Sequence, residues 1–185
     1  FGFLSLAATL YFLKRGQDAA AGALLVLSTM KPTLVFLVIP YLLLWTAARR
    51  RWRFIAGFAG LLAVLVLGSS LILPTWLGDF LHRVDTYSGY TVGQSPVWLL
   101  THEWIPALGT PGEIVLTGLF LLAMLAAWVF AVRPGDEAHF GWVLGFTLIV
   151  SNLIVPRSAT TNYVMLLVPL LWVFAALDRS FSWGR

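Results

Sequence analysis

Residues Phe54 to Leu73 read FIAGFAGLLAVLVLGSSLIL, twenty positions without a charge, closed by Pro74. At 1.5 Å rise per residue such a helix is about 30 Å long, the thickness of a bilayer's hydrocarbon core. A helix that is apolar on every side is either buried in the core of a large protein or a membrane span, and this one has the length of a span. The rest of the chain agrees: 59% of its 185 residues are hydrophobic and 11% are charged, against about 25% charged in an ordinary soluble domain. So few polar residues cannot cover a water-facing surface, and the bilayer is the solvent that accepts this composition.

Working outward, a basic cluster (Arg49, Arg50, Arg51 and Arg53) precedes the run, and further apolar runs lie at 1–13, 19–30, 33–48, 114–132, 140–155 and 164–177. The expectation is an all-α, polytopic transmembrane bundle of about seven membrane segments. It forms a single transmembrane domain over 1–185, read as the C-terminal part of a longer protein because the first run opens at Phe1 without a Met. One substantial loop, Thr75 to Glu113, carries polar groups. Within it Trp76, Leu77, Phe80, Leu81 and Val84 share a helical face from which Asp79, His82 and Arg83 turn away, the pattern of a helix lying in the membrane interface. Ser95-Pro96 reads as a break, after which Val97 to Leu100 dips toward lipid.

Positive charge orients these segments. With Lys14-Arg15, Arg49 to Arg53, Arg133, Arg179 and Arg185 inside, nine of the twelve basic residues are cytoplasmic. Lys31, Arg83 and Arg157 fall outside together with the 75–113 loop. The stretch between Lys14-Arg15 and Arg49 must then cross and return on about 30 apolar residues, where two full spans need about 40. Its helices are therefore short or partly re-entrant, with Lys31-Pro32 at the tip.

Lys31 is the sharpest candidate for chemistry. A lysine at such a break costs roughly 2.5 to 3.5 kcal/mol if it faces lipid at the bilayer centre, a cost met when it has a partner such as a phosphate. Position alone favours a snorkelling lysine at a helix end. Arg157, after Pro156 and near Asn162 and Tyr163, is suited to bidentate phosphate recognition; an interfacial anchor explains its position as well. Asp79 and Asp85 lie about 600° apart on a helix and form no carboxylate pair. His82 and His102-Glu103 lack metal-ligand spacing, and with no cysteine the sequence points to no metal site and no cofactor. No basic stripe interleaved with aromatics appears, which excludes nucleic acid as a partner; membrane lipids, met by the arginine cluster, are expected instead.

The run Ala21-Gly22-Ala23-Leu24-Leu25-Val26-Leu27-Ser28-Thr29-Met30-Lys31-Pro32, an apolar helix and then Arg50-Arg51-Trp52-Arg53 resembles the polyprenol-phosphate-dependent glycosyltransferases of GT-C fold. It is most similar to the mannosyltransferase-like family 87. Pro156-Arg157-Ser158, with Asn162-Tyr163 before the last run, is similar to a C-terminal feature of that group. The resemblance implies a multi-pass enzyme of the plasma (inner) membrane. It would move a hexose, possibly mannose, from a polyprenyl-phosphate-linked donor to an acceptor on the extracytoplasmic face. Lys31 matches the family's Lys-Pro position, which implies a place beside the carrier phosphate. The family's catalytic Asp lies in a first external loop, upstream, and no residue here matches it. Asp79, His82, Arg83, Asn162 and Tyr163 are secondary candidates. Two other classes fit the pattern: a transporter or flippase binding an anionic or lipid-linked substrate at the broken helix, and a non-catalytic membrane scaffold.

Overall fold

The structure, a computed structural model, describes residues 2–30, 35–90, 94–133, 139–155, 163–164 and 166–181, with side chains except at 84–90 and 179–181. Every regular element among the described residues is helical. In chain order they are α1 (Gly2–Lys14), α2 (Asp18–Ser28), α3 (Val38–Ala48), α4 (Trp52–Ile72), α5 (Trp76–Tyr90), α6 (Pro96–Leu99), α7 (Gly109–Val132), α8 (Phe140–Ile154) and α9 (Leu167–Phe181). Among the described residues α4 and α7, with 21 and 24 residues, are long and apolar enough to cross a membrane, while α1, α2, α3, α8 and α9 are shorter apolar helices. At 11 residues each, α2 and α3 are about 16 Å long, which agrees with the short helices expected on either side of Lys31-Pro32.

The chain divides into two compact units, 1–30 with 51–93 and 31–50 with 94–185. In the first, α2 packs against α1 and α4. The contact with α4 is made backbone to backbone. A Cβ on Gly22 would run into the Phe54 carbonyl and the Phe58 nitrogen, and one on Gly57 into the Ala19 carbonyl. Small residues that let helix backbones touch are how membrane helices associate when lipid removes the hydrophobic drive. Beyond this crossing α4 is bare: Leu71 and Ile72 are 85% and 87% exposed, in keeping with a lipid solvent.

Arg51, the N-cap of α4, ties the three helix ends of this unit together. Its Nη2 lies 2.6 Å from Asp18 Oδ1, its Nε donates to Asp18 Oδ2 at 3.1 Å, and Nη2 also donates to the Leu13 carbonyl at 3.0 Å. Asp18 stands in the first turn of α2, where a negative charge suits the helix dipole. Leu13 is in the last turn of α1, whose carbonyls have no intrahelical donor. Exchanging Arg51→Met or Asp18→Asn should each cost about 1.5–3 kcal/mol, the range for hydrogen bonds to charged groups. In a double-mutant cycle of unfolding in detergent the pair should cost less than the sum; additive losses would show that the contact contributes nothing.

In the second unit α8 is central, packing against α7, α9, α3 and α6. Its polar side chains survive burial by bonding back to their own helix: Thr147 to the Val143 carbonyl (2.7 Å), Ser151 to that of Thr147 (2.7 Å) and Asn152 to that of Leu148 (2.9 Å). Trp128 Nε1 donates to Thr147 Oγ1 at 2.8 Å and so joins α7 to α8. Gly141 and Gly145 leave room for Trp172 and Pro169 of α9. Tyr41, fully buried on α3, donates to the Phe140 carbonyl at 3.2 Å. Arg49 stacks 4.0 Å over Trp45 and donates to the Ala131 carbonyl, in the last turn of α7, at 3.4 Å. Arg50 then turns the chain with φ 54°, a left-handed conformation that glycine usually takes.

Within the first unit Arg51 thus meets the end of α1, next to Lys14-Arg15 in sequence, and within the second Arg49 meets the end of α7, next to Arg133. The helix expected in the first part of the 75–113 stretch is α5. One local expectation needs correction. The span expected from Ile114 begins at Gly109, because Gly109 at φ 49° turns the chain directly into α7. Ser95-Pro96, read as a break, falls between α5 and α6 and opens the latter. The Ser95 side chain accepts from the Trp98 nitrogen at 3.0 Å, and Pro96 sits where its missing N–H costs nothing.

Candidate functional site

The expected phosphate ligands Lys31 and Arg157, and Asn162 beside the latter, lie outside the described residues. Tyr163 is 41% exposed, in a short helical turn ahead of α9. On α5, Asp79, His82 and Arg83 are all exposed, on a helix whose Leu77, Phe80 and Leu81 are exposed too. Asp79 Oδ2 accepts from Thr75 Oγ1 at 2.9 Å, an interaction that closes the first turn of the helix. This is an amphipathic helix that carries these polar groups exposed.

A cluster that the sequence did not reveal stands at the start of α7. Helix α6 continues as a π-helical turn, Leu100–Trp104, in which the Ile105 nitrogen donates to the Leu100 carbonyl at 2.9 Å. Such turns are rare and recur at functional sites. This one carries His102, whose ring stacks on Trp98 with centroids 4.6 Å apart and planes 7° from parallel. His102 Nδ1 faces Thr101 Oγ1 (3.0 Å), the Trp98 carbonyl (3.2 Å) and Glu113 Oε2 (4.0 Å). Thr101 is fully buried and donates its own hydrogen to the Val97 carbonyl at 3.0 Å. Nδ1 is therefore surrounded by acceptors and carries the ring hydrogen. Nε2 is left as the acceptor, with the exposed hydroxyl of Thr110 at 3.4 Å.

Sequence reasoning placed His102 beside Glu103 and tested the pair for metal spacing. The structure sets it against Glu113 and Thr110, in the first turns of α7, beyond a turn containing Pro106. Nothing in the spacing announces that approach, which depends on the left-handed Gly109. Among the described residues no three His, Asp or Glu side chains gather to hold a metal ion.

What this framework serves is decided by comparison. The family model for glycosyltransferase family 87 matches residues 2–156. No curated protein and no solved structure matches the chain. The match takes in α1 to α8, from the glycine crossing of α2 and α4 to the π-helical turn and the Pro156 that follows α8. Helices with apolar residues exposed along their length are what an enzyme working in a bilayer requires. The chain belongs to glycosyltransferase family 87 and is a membrane glycosyltransferase.

Proposed function

We propose that this transferase takes a hexose, mannose first among candidates, from a polyprenyl-phosphate carrier and passes it to an acceptor hydroxyl on the extracytoplasmic face of the plasma (inner) membrane. It works as one multi-pass transmembrane domain. The family match carries this reading, and the exposed apolar helices support a donor that is itself a lipid. Such a donor has its tail in the bilayer and its phosphate at the interface. The enzyme must offer a lipid-facing groove that ends in cations, because transfer leaves negative charge on the departing phosphate. Lys31 and Arg157 are assigned to that phosphate. Each directly follows a helix, α2 through Thr29-Met30 and α8 through Val155-Pro156.

The test is donor choice. The protein in proteoliposomes should release polyprenyl phosphate from polyprenyl-phosphate mannose when octyl mannoside is present as acceptor, and should leave GDP-mannose untouched. Transfer from GDP-mannose alone would overturn the assignment of the donor.

A further inference from the structure

We propose that the end of the first unit carrying Lys14, Arg15 and Arg53 is a binding site for the headgroup of an acidic membrane phospholipid. Such a lipid is a resident of the bilayer, distinct from the sugar donor.

Two of the four clustered arginines are engaged inside the fold. Arg51 holds Asp18 and the Leu13 carbonyl, and Arg49, in the second unit, donates to the Ala131 carbonyl. By joining α4 to the last turn of α1 and the first turn of α2, Arg51 brings other cations to the same end. Lys14 and Arg15 directly follow the bonded Leu13, and Arg53 stands two residues beyond Arg51. All three are exposed, and among the described residues none of them pairs with a carboxylate. Asp18 is the one acid at this end, and Arg51 already neutralises it. The unit's other acids, Asp79 and Asp85, follow the far end of α4. Three cations are left without a counter-charge.

The turn that presents two of them is fixed. Gly16, at φ 73°, closes α1: its N–H donates to the Leu13 carbonyl at 3.2 Å, and that of Gln17 to the Phe12 carbonyl at 3.0 Å. An anion arriving here need not order the backbone, which lowers the cost of binding. Two features point to a lipid as the anion's source. Trp52 and Tyr11 are 61% and 51% exposed at this end, and the Arg15 guanidinium lies 4.5 Å over the Tyr11 ring. Exposed Trp and Tyr beside cations mark the headgroup level of a bilayer. From Trp52, α4 runs on through exposed Ala56, Ala59 and Gly60 into its bare apolar length, a surface for acyl chains. A phosphate at the cations with chains along the helix is the shape of a phospholipid. Charge selects the acidic kind, because a zwitterionic headgroup brings a cation of its own into a site that already holds three.

Native mass spectrometry of the whole protein in detergent tests this, with phosphatidylglycerol and phosphatidylcholine of identical acyl chains as probes. Phosphatidylglycerol should be retained about tenfold or more tightly than phosphatidylcholine. Lys14→Gln, Arg15→Gln and Arg53→Gln should each weaken its retention by about fivefold, and the triple variant should bring it to the phosphatidylcholine level. Arg133→Gln removes an exposed charge of the same sign from the second unit and should leave retention unchanged. An equal loss in that variant would reveal a diffuse attraction and overturn the site. The wild-type protein decides even if the triple variant fails to fold: raising the salt should erase the preference for phosphatidylglycerol. A preference that survives salt, or no preference at low salt, overturns the proposal. Two competitors separate the sources of the anion. Neither inorganic phosphate nor equimolar polyprenyl phosphate should displace bound phosphatidylglycerol. Displacement by the first would mean a site for a soluble anion, and by the second a site for the sugar carrier; either result overturns the assignment to a resident phospholipid.

Discussion

Lys31→Gln should lower turnover by about 30- to 1000-fold, at unchanged protein level, and Arg157→Gln should do the same. The size follows from what each cation is asked to supply. A charge-assisted contact that strengthens as the phosphate departs contributes about 2 to 4 kcal/mol to the barrier in a site that excludes water. Gln keeps a hydrogen-bond donor and removes the charge, so the loss reads the electrostatic part. An anchoring residue behaves differently: Gln in place of a snorkelling Lys leaves kcat within a few-fold. The measurement is the release rate of polyprenyl phosphate under saturating donor. A loss confined to KM would mean that the cation binds carrier and transition state alike. Normal kinetics in both variants would remove the phosphate assignment and leave the family membership untouched.

Gly57→Leu and Gly22→Leu should each destabilise the first unit by about 2–4 kcal/mol, through overpacking that no side-chain rotamer relieves. The obstruction is the Cβ itself, and what it meets is backbone on the facing helix. Helices α2 and α4 would have to separate, and with them the Arg51–Asp18 contact at their shared end. Gly60 is the internal control. It lies on the same helix with nothing within 4 Å of a Cβ, so Gly60→Ala should be neutral or stabilising by up to about 1 kcal/mol, the helix preference of alanine over glycine. Thermal unfolding in detergent reports all three. Equal midpoints for Gly57→Leu and Gly60→Ala would show that the crossing is not as close as described.

Helices and their apolar character were legible because a bilayer demands long runs without charge, and Phe54 to Leu73 and Ile114 to Val132 have them. The shortness of α2 and α3 was legible from counting residues between two basic clusters. What was hidden is whatever depends on backbone direction. The helix from Trp76 was legible from its apolar face, but nothing in the sequence showed that Ser95-Pro96 caps a second helix or that Gly109 turns the chain into a third. The approach of Gly22 to Phe54 and of Gly57 to Ala19 was invisible for the same reason: a glycine that permits contact and one that faces open space, as Gly60 does, look alike in one sequence. Lys31 and Arg157 came from position and resemblance, while His102 and Glu113 needed the fold. Family membership decides for the transferase over the transporter and scaffold readings.

Arg50 shows that a membrane chain is written for two moments in its life. In the finished fold it holds a left-handed backbone at φ 54°, which costs a side-chain-bearing residue roughly 1–2 kcal/mol relative to the ordinary conformations. Glycine would rest there without strain. During synthesis, however, the nascent segment has no tertiary structure to be strained, and an arginine just ahead of the run that begins at Phe54 helps decide which way that run enters the bilayer. A charge of this kind acts before the folded turn exists, and the strain of that turn arises only once the fold is complete. A sequence can thus be selected for its path into the bilayer as well as for the energy of its end state.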